Sequence, residues 1–165
     1  MAARLLTDDV LERLTERFSK RTRKLIASAS AHAKANGTAF GGMPLLVFGH
    51  IAEKGKPAGA YDLIDEISRA LGRPVTPPSV YRSIEHLTVL RLVSRLSCRN
   101  AYVVCAHPGH AHDCVLLVCE SCGETAELED KRLDKLIGKR VKAAGFVPRH
   151  RILEVEGTCQ ACQAA

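Results

Sequence analysis

The clearest chemistry in this chain belongs to four cysteines arranged as two short pairs, Cys119-Glu-Ser-Cys122 and Cys159-Gln-Ala-Cys162. Each pair puts two sulfurs on one tight turn, and two such turns brought together supply the tetrahedral S4 set that Zn²⁺ prefers. With four protein thiolates no coordination position stays open, so the chemistry is structural rather than catalytic. Between the pairs lie 36 residues, enough for a folded substructure tied at both ends. The alternative is a pair of disulfides or inert buried cysteines. Seven cysteines, an odd number, fit a closed disulfide framework poorly and fit reduced thiols well.

A second constellation lies upstream in Cys105-Ala-His107-Pro-Gly-His110-Ala-His112, with Glu127 following the first cysteine pair. Mixed sulfur, nitrogen and oxygen donors at a domain junction suit a site whose occupancy is regulated, and the soft thiolate favours Zn²⁺ over Fe²⁺ or Mn²⁺. These donors must shed protons to bind, so affinity falls as pH drops toward the imidazole range. His32, His50, His86, Cys98 and Cys114 are read as non-ligands. A zinc hydrolase would use Glu127 as general base beside a metal-bound water, but no His-Glu-x-x-His signature accompanies it. The chain is therefore read as a non-enzyme without a small organic substrate.

A third group of residues points to a polyanion. Residues 1–105 hold 16 Lys and Arg against 9 Asp and Glu, a net +7, whereas residues 106–165 hold 8 against 9. Neutralising phosphates releases condensed counterions, so double-stranded DNA is the natural partner for the basic half. Within it, Pro77-Pro78-Ser79 opens a helix to about Val89, with Ser79, Tyr81 and Arg82 near its N-terminus. Arg82 can donate two hydrogen bonds to guanine in the major groove, and Tyr81 can contact a thymine methyl or a phosphate. Tyr61, Arg73, Arg91, Arg95 and Arg99 are candidate phosphate contacts.

Positioning these groups requires particular elements. Val10, Leu11, Leu14, Phe18, Leu25 and Ile26 recur at helical spacing, which predicts one long helix from Asp8 to about Ala35, with Thr7 or Asp8 as cap. Helices over Met43 to Glu53 and Ala60 to Leu71 follow, then the reading helix. Leu92 to Leu96 and Ala101 to Cys105 read as a hairpin, the wing of a winged helix. Beyond about Cys105 to Asp113 the order is strand (Cys114 to Cys119), strand (Glu124 to Leu128), helix (Asp130 to Ala144) and strand (Phe146 to Val155). The expected class is α+β: a winged-helix DNA-binding domain over 1–105 and a small α+β domain over 106–165. No run approaches the roughly 20 apolar residues that span a bilayer, and the N-terminus lacks a signal-peptide core, so a cytoplasmic protein with no membrane partner is expected.

These motifs together resemble the ferric uptake regulator (Fur) superfamily, most closely its zinc uptake regulator (Zur) branch. The resemblance rests on Ala60-Tyr61-Asp62-Leu63, Pro77-Pro78-Ser79-Val80-Tyr81-Arg82, Tyr102-Val103-Val104-Cys105, Cys119-Glu-Ser-Cys122-Gly123, and Gly145-Phe146 through His150 to Cys162. It implies a homodimer of winged helices joined by dimerisation domains, binding palindromic operators when a regulatory metal is loaded and mainly repressing zinc-uptake genes. It also implies one structural zinc per monomer on Cys119, Cys122, Cys159 and Cys162, and one regulatory zinc. For the latter, Cys105, His112 and Glu127 match three ligand positions. The place held by histidine in some members is Ser94 here, and His110 is taken as the fourth ligand, with His107 as runner-up. The alternative within the family is a sensor of iron, another metal or peroxide, against which Cys105 argues. Gly41-Gly42-Met43-Pro44-Leu45 departs from the family's usual start of the second helix.

Overall fold

A computed structural model describes residues 6–97, 99–105, 115–148 and 153–164. The chain divides into two compact units, Met1–Gly109 and His110–Ala165. The first contains α1 (Asp8–Glu16), α2 (Lys20–Ala35), α3 (Gly42–Lys54), β1 (Ala58–Gly59), α4 (Ala60–Leu71), α5 (Pro77–Val89), β2 (Val93–Leu96) and β3 (Ala101–Val104). The second contains β4 (Val115–Cys119), β5 (Thr125–Leu128), α6 (Lys131–Ala143), β6 (Leu153–Gly157) and α7 (Gln160–Gln163).

The single long N-terminal helix expected from the apolar spacing is two helices. Ser19 caps α2, its Oγ accepting from the Thr22 N–H at 3.2 Å, and Glu53 of α3 accepts from both the N–H and the hydroxyl of Ser19. The break turns Phe18 into the core, where its ring lies against Gly49 of α3 and edge-on to His50 at 5.3 Å between centroids. Apolar periodicity continues through such a break, because the same face stays buried on both sides.

Around α3 the core of the first unit assembles. Leu46, Val47, Phe48 and Ile51 are enclosed there, joined by Leu63 and Ile67 of α4, Val80 and Leu87 of α5, and Leu92 and Val93 from the start of the wing. Helix α4 ends at Gly72 in the left-handed region (φ 64°), and Pro77 opens α5, where a missing N–H costs no helical bond. The wing is a three-stranded sheet in the order β1-β3-β2, all antiparallel. The two-residue β1 is too short to leave a periodic signal in the sequence.

In the second unit β4 is central, antiparallel to β5 and parallel to β6, with α6 making the crossover. Asp130 caps α6 by accepting from the Arg132 N–H at 2.7 Å and the Leu133 N–H at 3.4 Å. The strand expected over Phe146 to Val155 is observed as Leu153–Gly157. Gly145 adopts φ 72° after α6, and Phe146, Val147 and Pro148 are not in a strand. Proline offers no N–H to a ladder. Among the described residues no helix is long and apolar enough to cross a membrane.

Candidate metal centre and nucleic-acid interface

The parallel pairing of β4 with β6 is what brings the cysteine pairs together. Its register sets Cys119 opposite Gly157, and the Glu120 N–H donates to the Gly157 carbonyl at 2.8 Å. Cys119 ends β4 on a turn closed by the Gly123 N–H to the Cys119 carbonyl, while Cys159 is the N-cap of α7. The ligand sulfurs of Cys119, Cys122, Cys159 and Cys162 all lie within 4.8 Å of one another. Those of Cys122 and Cys159 are 3.7 Å apart. A Zn–S bond of about 2.3 Å implies a tetrahedron with an edge of roughly 3.8 Å, so the spacing fits a divalent ion at the centre.

Electrostatics favour the same reading. Backbone N–H groups of Cys122 and then Cys159 pull Cys119 down to about 6. The Cys159 N–H lies 3.3 Å from the Cys119 sulfur. Conversely, the neighbouring sulfurs of Cys159 and Cys122 push the Cys162 thiol up to about 12. The backbone thus favours one thiolate while crowding of sulfurs disfavours another, an imbalance that a bound dication would reverse. The set offers no vacant protein-free position for substrate chemistry.

Of the second constellation, Cys105 and Glu127 are described. Cys105 follows β3, is 4 % exposed, and donates its N–H to the Leu92 carbonyl at 3.0 Å. Its sulfur lies 3.1 Å from the Ser94 hydroxyl oxygen. Glu127, half-buried, belongs to β5 opposite Leu116 of β4. His107, His110 and His112 lie outside the described residues, as do Cys98, Cys114 and His150. The remaining histidines have structural contacts. His32 Nε2 is 3.1 Å from the Leu90 carbonyl, His86 Nε2 is 3.1 Å from the Ala39 carbonyl, and His50 Nδ1 is 3.6 Å from Glu66. Burial lowers His50 below its ordinary value despite the nearby Glu66 carboxylate.

Helix α5 has two distinct faces. Val80, Ser83, Ile84 and Leu87 pack inward, whereas Pro78, Tyr81, Arg82, Glu85 and Val89 are exposed at helical spacing on the other side. Ser79 is half-buried and its carbonyl accepts from the Ser83 hydroxyl at 2.8 Å. Tyr61, 73 % exposed, stands in the first turn of α4. Arg91 takes a left-handed backbone (φ 56°) just after α5, where the Leu92 N–H returns to the Leu87 carbonyl in a helix-terminating motif usually filled by glycine. In the wing, Arg95 Nη2 donates to Asn100 Oδ1 at 2.8 Å, which stiffens the turn. Sequence reasoning had no means to find this bond or the Ser94–Cys105 contact, since both depend on the hairpin register.

Residues 54–156 match the family model described as "Ferric uptake regulator family". The chain is 30 % identical over 104 residues to the zinc uptake regulation protein of Escherichia coli (strain K12), covering 62 % of this chain and 60 % of that relative's length. It is 30 % identical over 108 residues to the zinc uptake regulation protein of Mycobacterium tuberculosis (strain CDC 1551 / Oshkosh), covering 64 % of this chain and 79 % of that protein. Among solved structures, that of holo XcZur superposes with a TM-score of 0.79 at 34 % identity, over 86 % of this chain and 99 % of the other. A zinc uptake regulator complexed with zinc and DNA also gives 0.79, at 26 % identity, over 88 % and 97 % of the two chains.

Proposed function

The chain belongs to the ferric uptake regulator family, and from that premise we propose that it is a zinc-responsive transcriptional regulator, mainly a repressor of zinc-uptake genes, that binds palindromic DNA operators as a zinc-loaded homodimer. The observation that carries this reading is α5, which buries one face and leaves Tyr81 and Arg82 together on the other. A helix presented this way by a winged helix can enter the major groove, with Tyr61 and the arginines of the wing against phosphates. The zinc-named relatives support the choice of metal, and so does the thiolate of Cys105.

In this reading Cys119, Cys122, Cys159 and Cys162 hold a structural zinc, and Cys105, His110, His112 and Glu127 hold a regulatory one, giving two per monomer. Bound zinc supplies two positive charges and a tetrahedral preference that tie four donors to one point. Cys105 leads out of the wing, its backbone extending the β2–β3 ladder through Leu92. Loading of the regulatory donors selects the DNA-competent state, in proportion to the difference in affinity between the two states. Support for the homodimer comes from the second unit, where Leu128, Leu136, Phe146, Val147 and Val155 are exposed apolar side chains. With DNA as its partner, the protein acts in the cytoplasm.

Operator binding tests the reading. Protein that keeps its S4 zinc but is stripped at Cys105 should bind operator DNA at least about tenfold more weakly than after Zn²⁺ is restored, a coupling of about 1.4 kcal/mol. Equal affinity in the two states removes the switch. Arg82→Ala should weaken specific binding by roughly 1–3 kcal/mol in either fluorescence anisotropy or footprinting. An unchanged affinity removes Arg82 from the reading set.

A further inference from the structure

The β2–β3 hairpin places Ser94 against the sulfur of Cys105. Ser94 pairs with Val103, and Val93 with Val104, so alternation puts Ser94, Val103 and Cys105 on one face of the wing. Ser94 and Cys105 are then diagonal neighbours across the pair, within reach of each other. The backbone bond from the Cys105 N–H to the Leu92 carbonyl at 3.0 Å holds that register beyond the end of β3. The result is the 3.1 Å separation of Ser94 Oγ and Cys105 Sγ, with the sulfur buried and the serine half-buried.

We propose that Ser94 is a positioning residue for a metal-bound Cys105, its hydroxyl donating a hydrogen bond to the sulfur without itself ligating the ion. This rests on the reading of Cys105 as a zinc ligand. With a protonated thiol either group can donate; a metal-bound thiolate has no proton, so the hydroxyl alone donates. A hydrogen bond to an anionic sulfur is stronger than one between neutral groups, so it would hold the metal-bound sulfur in place. It also engages one lone pair and fixes the direction of the others. Neutral hydroxyls are weak partners for zinc beside thiolate and imidazole, which separates Ser94 from the ligands themselves. Partners one step outside a metal site characteristically set ligand orientation and affinity.

Cobalt(II) in the full-length protein, with the S4 site kept zinc-loaded, provides the probe. Wild type should show a sulfur-to-cobalt charge-transfer band that Cys105→Ser abolishes. In Ser94→Ala that band should persist but move to lower energy, because an unbonded thiolate holds its electrons less tightly, and zinc affinity by chelator competition should fall about tenfold. Ser94→Thr, which keeps the hydroxyl and suits a strand, should restore both values. A Ser94→Ala protein with wild-type band and affinity overturns the proposal. So does a loss equal in the Ala and Thr variants, which marks a packing effect, or a change in the cobalt d–d bands that marks loss of a ligand. Absence of any Cys105-dependent band in wild type overturns instead the underlying assignment of Cys105.

Discussion

The two units of this protein are held together by different means. In the first, the most completely enclosed large side chains of the described residues are concentrated around α3, from Leu46 and Phe48 to Leu63, Ile67, Leu87 and Leu92. In the second, the buried side chains among the described residues are those of β4, namely Val115, Leu116, Val118 and Cys119, and α6 buries none. A unit of that size with one buried strand lacks the apolar area to offset the chain entropy of folding. On the proposed reading, its closure depends on a metal held by the S4 cluster and on burial of its exposed apolar residues against a second copy. The first unit, by contrast, has what it needs within its own sequence.

The largest effect should come from the cluster. Cys119→Ser, or removal of metal by a strong chelator, should unfold the second unit, since structural zinc contributes on the order of 10 kcal/mol to such folds. Amide exchange should show β4 and β6 losing protection while α3 and α5 keep theirs. Persistent protection of β4 in metal-free protein would erase the contrast between the units. The next largest effect lies in the first unit, where Phe48→Ala should cost about 3–5 kcal/mol through the lost transfer energy and the cavity left behind. Denaturant melts should show that loss with zinc content unchanged. Leu136, 53 % exposed on α6, tests the second copy. Leu136→Asp should weaken self-association at least about tenfold, about 1.4 kcal/mol, in sedimentation equilibrium, and leave the melting of the first unit unaltered.

The smallest effect concerns pH. Burial lowers His50 in the folded state, so the unfolded chain takes up a proton at higher pH than the folded one. The stability due to neutral His50 is therefore present above its ordinary value of 6.5 and lost as pH falls below it. Melts of the first unit between about pH 7 and pH 5 should show this decline, and His50→Gln should flatten it. An identical pH profile in that variant would assign the decline elsewhere.

Much of this architecture was legible from residue types, and the misses share a cause. Helix α5 announced itself through Pro77-Pro78 and its apolar stripe, and the cysteine pairs through spacing alone. The break between α1 and α2 stayed hidden because Ser19 caps within an apolar pattern that runs on undisturbed, and its partner Glu53 is 34 positions away. The final strand was set too early because Phe146 and Val147 have strand-like chemistry, whereas Gly145 and Pro148 govern the local backbone. Convergence of the sulfurs needed the parallel register of Cys119 with Gly157, and the Ser94–Cys105 contact needed the hairpin register. Pairing between distant segments is decided by tertiary packing, which one-dimensional patterns do not encode.

That parallel register also sets an order of events during synthesis. Cys119 leaves the ribosome 40 residues before Cys159, an interval of roughly 2–8 s at common elongation rates. Through most of it β4 can have its hairpin neighbour β5 but not the second pair of sulfurs. The first pair can bind a metal ion only loosely until the second arrives, so closure of this unit reports that translation has passed Cys162.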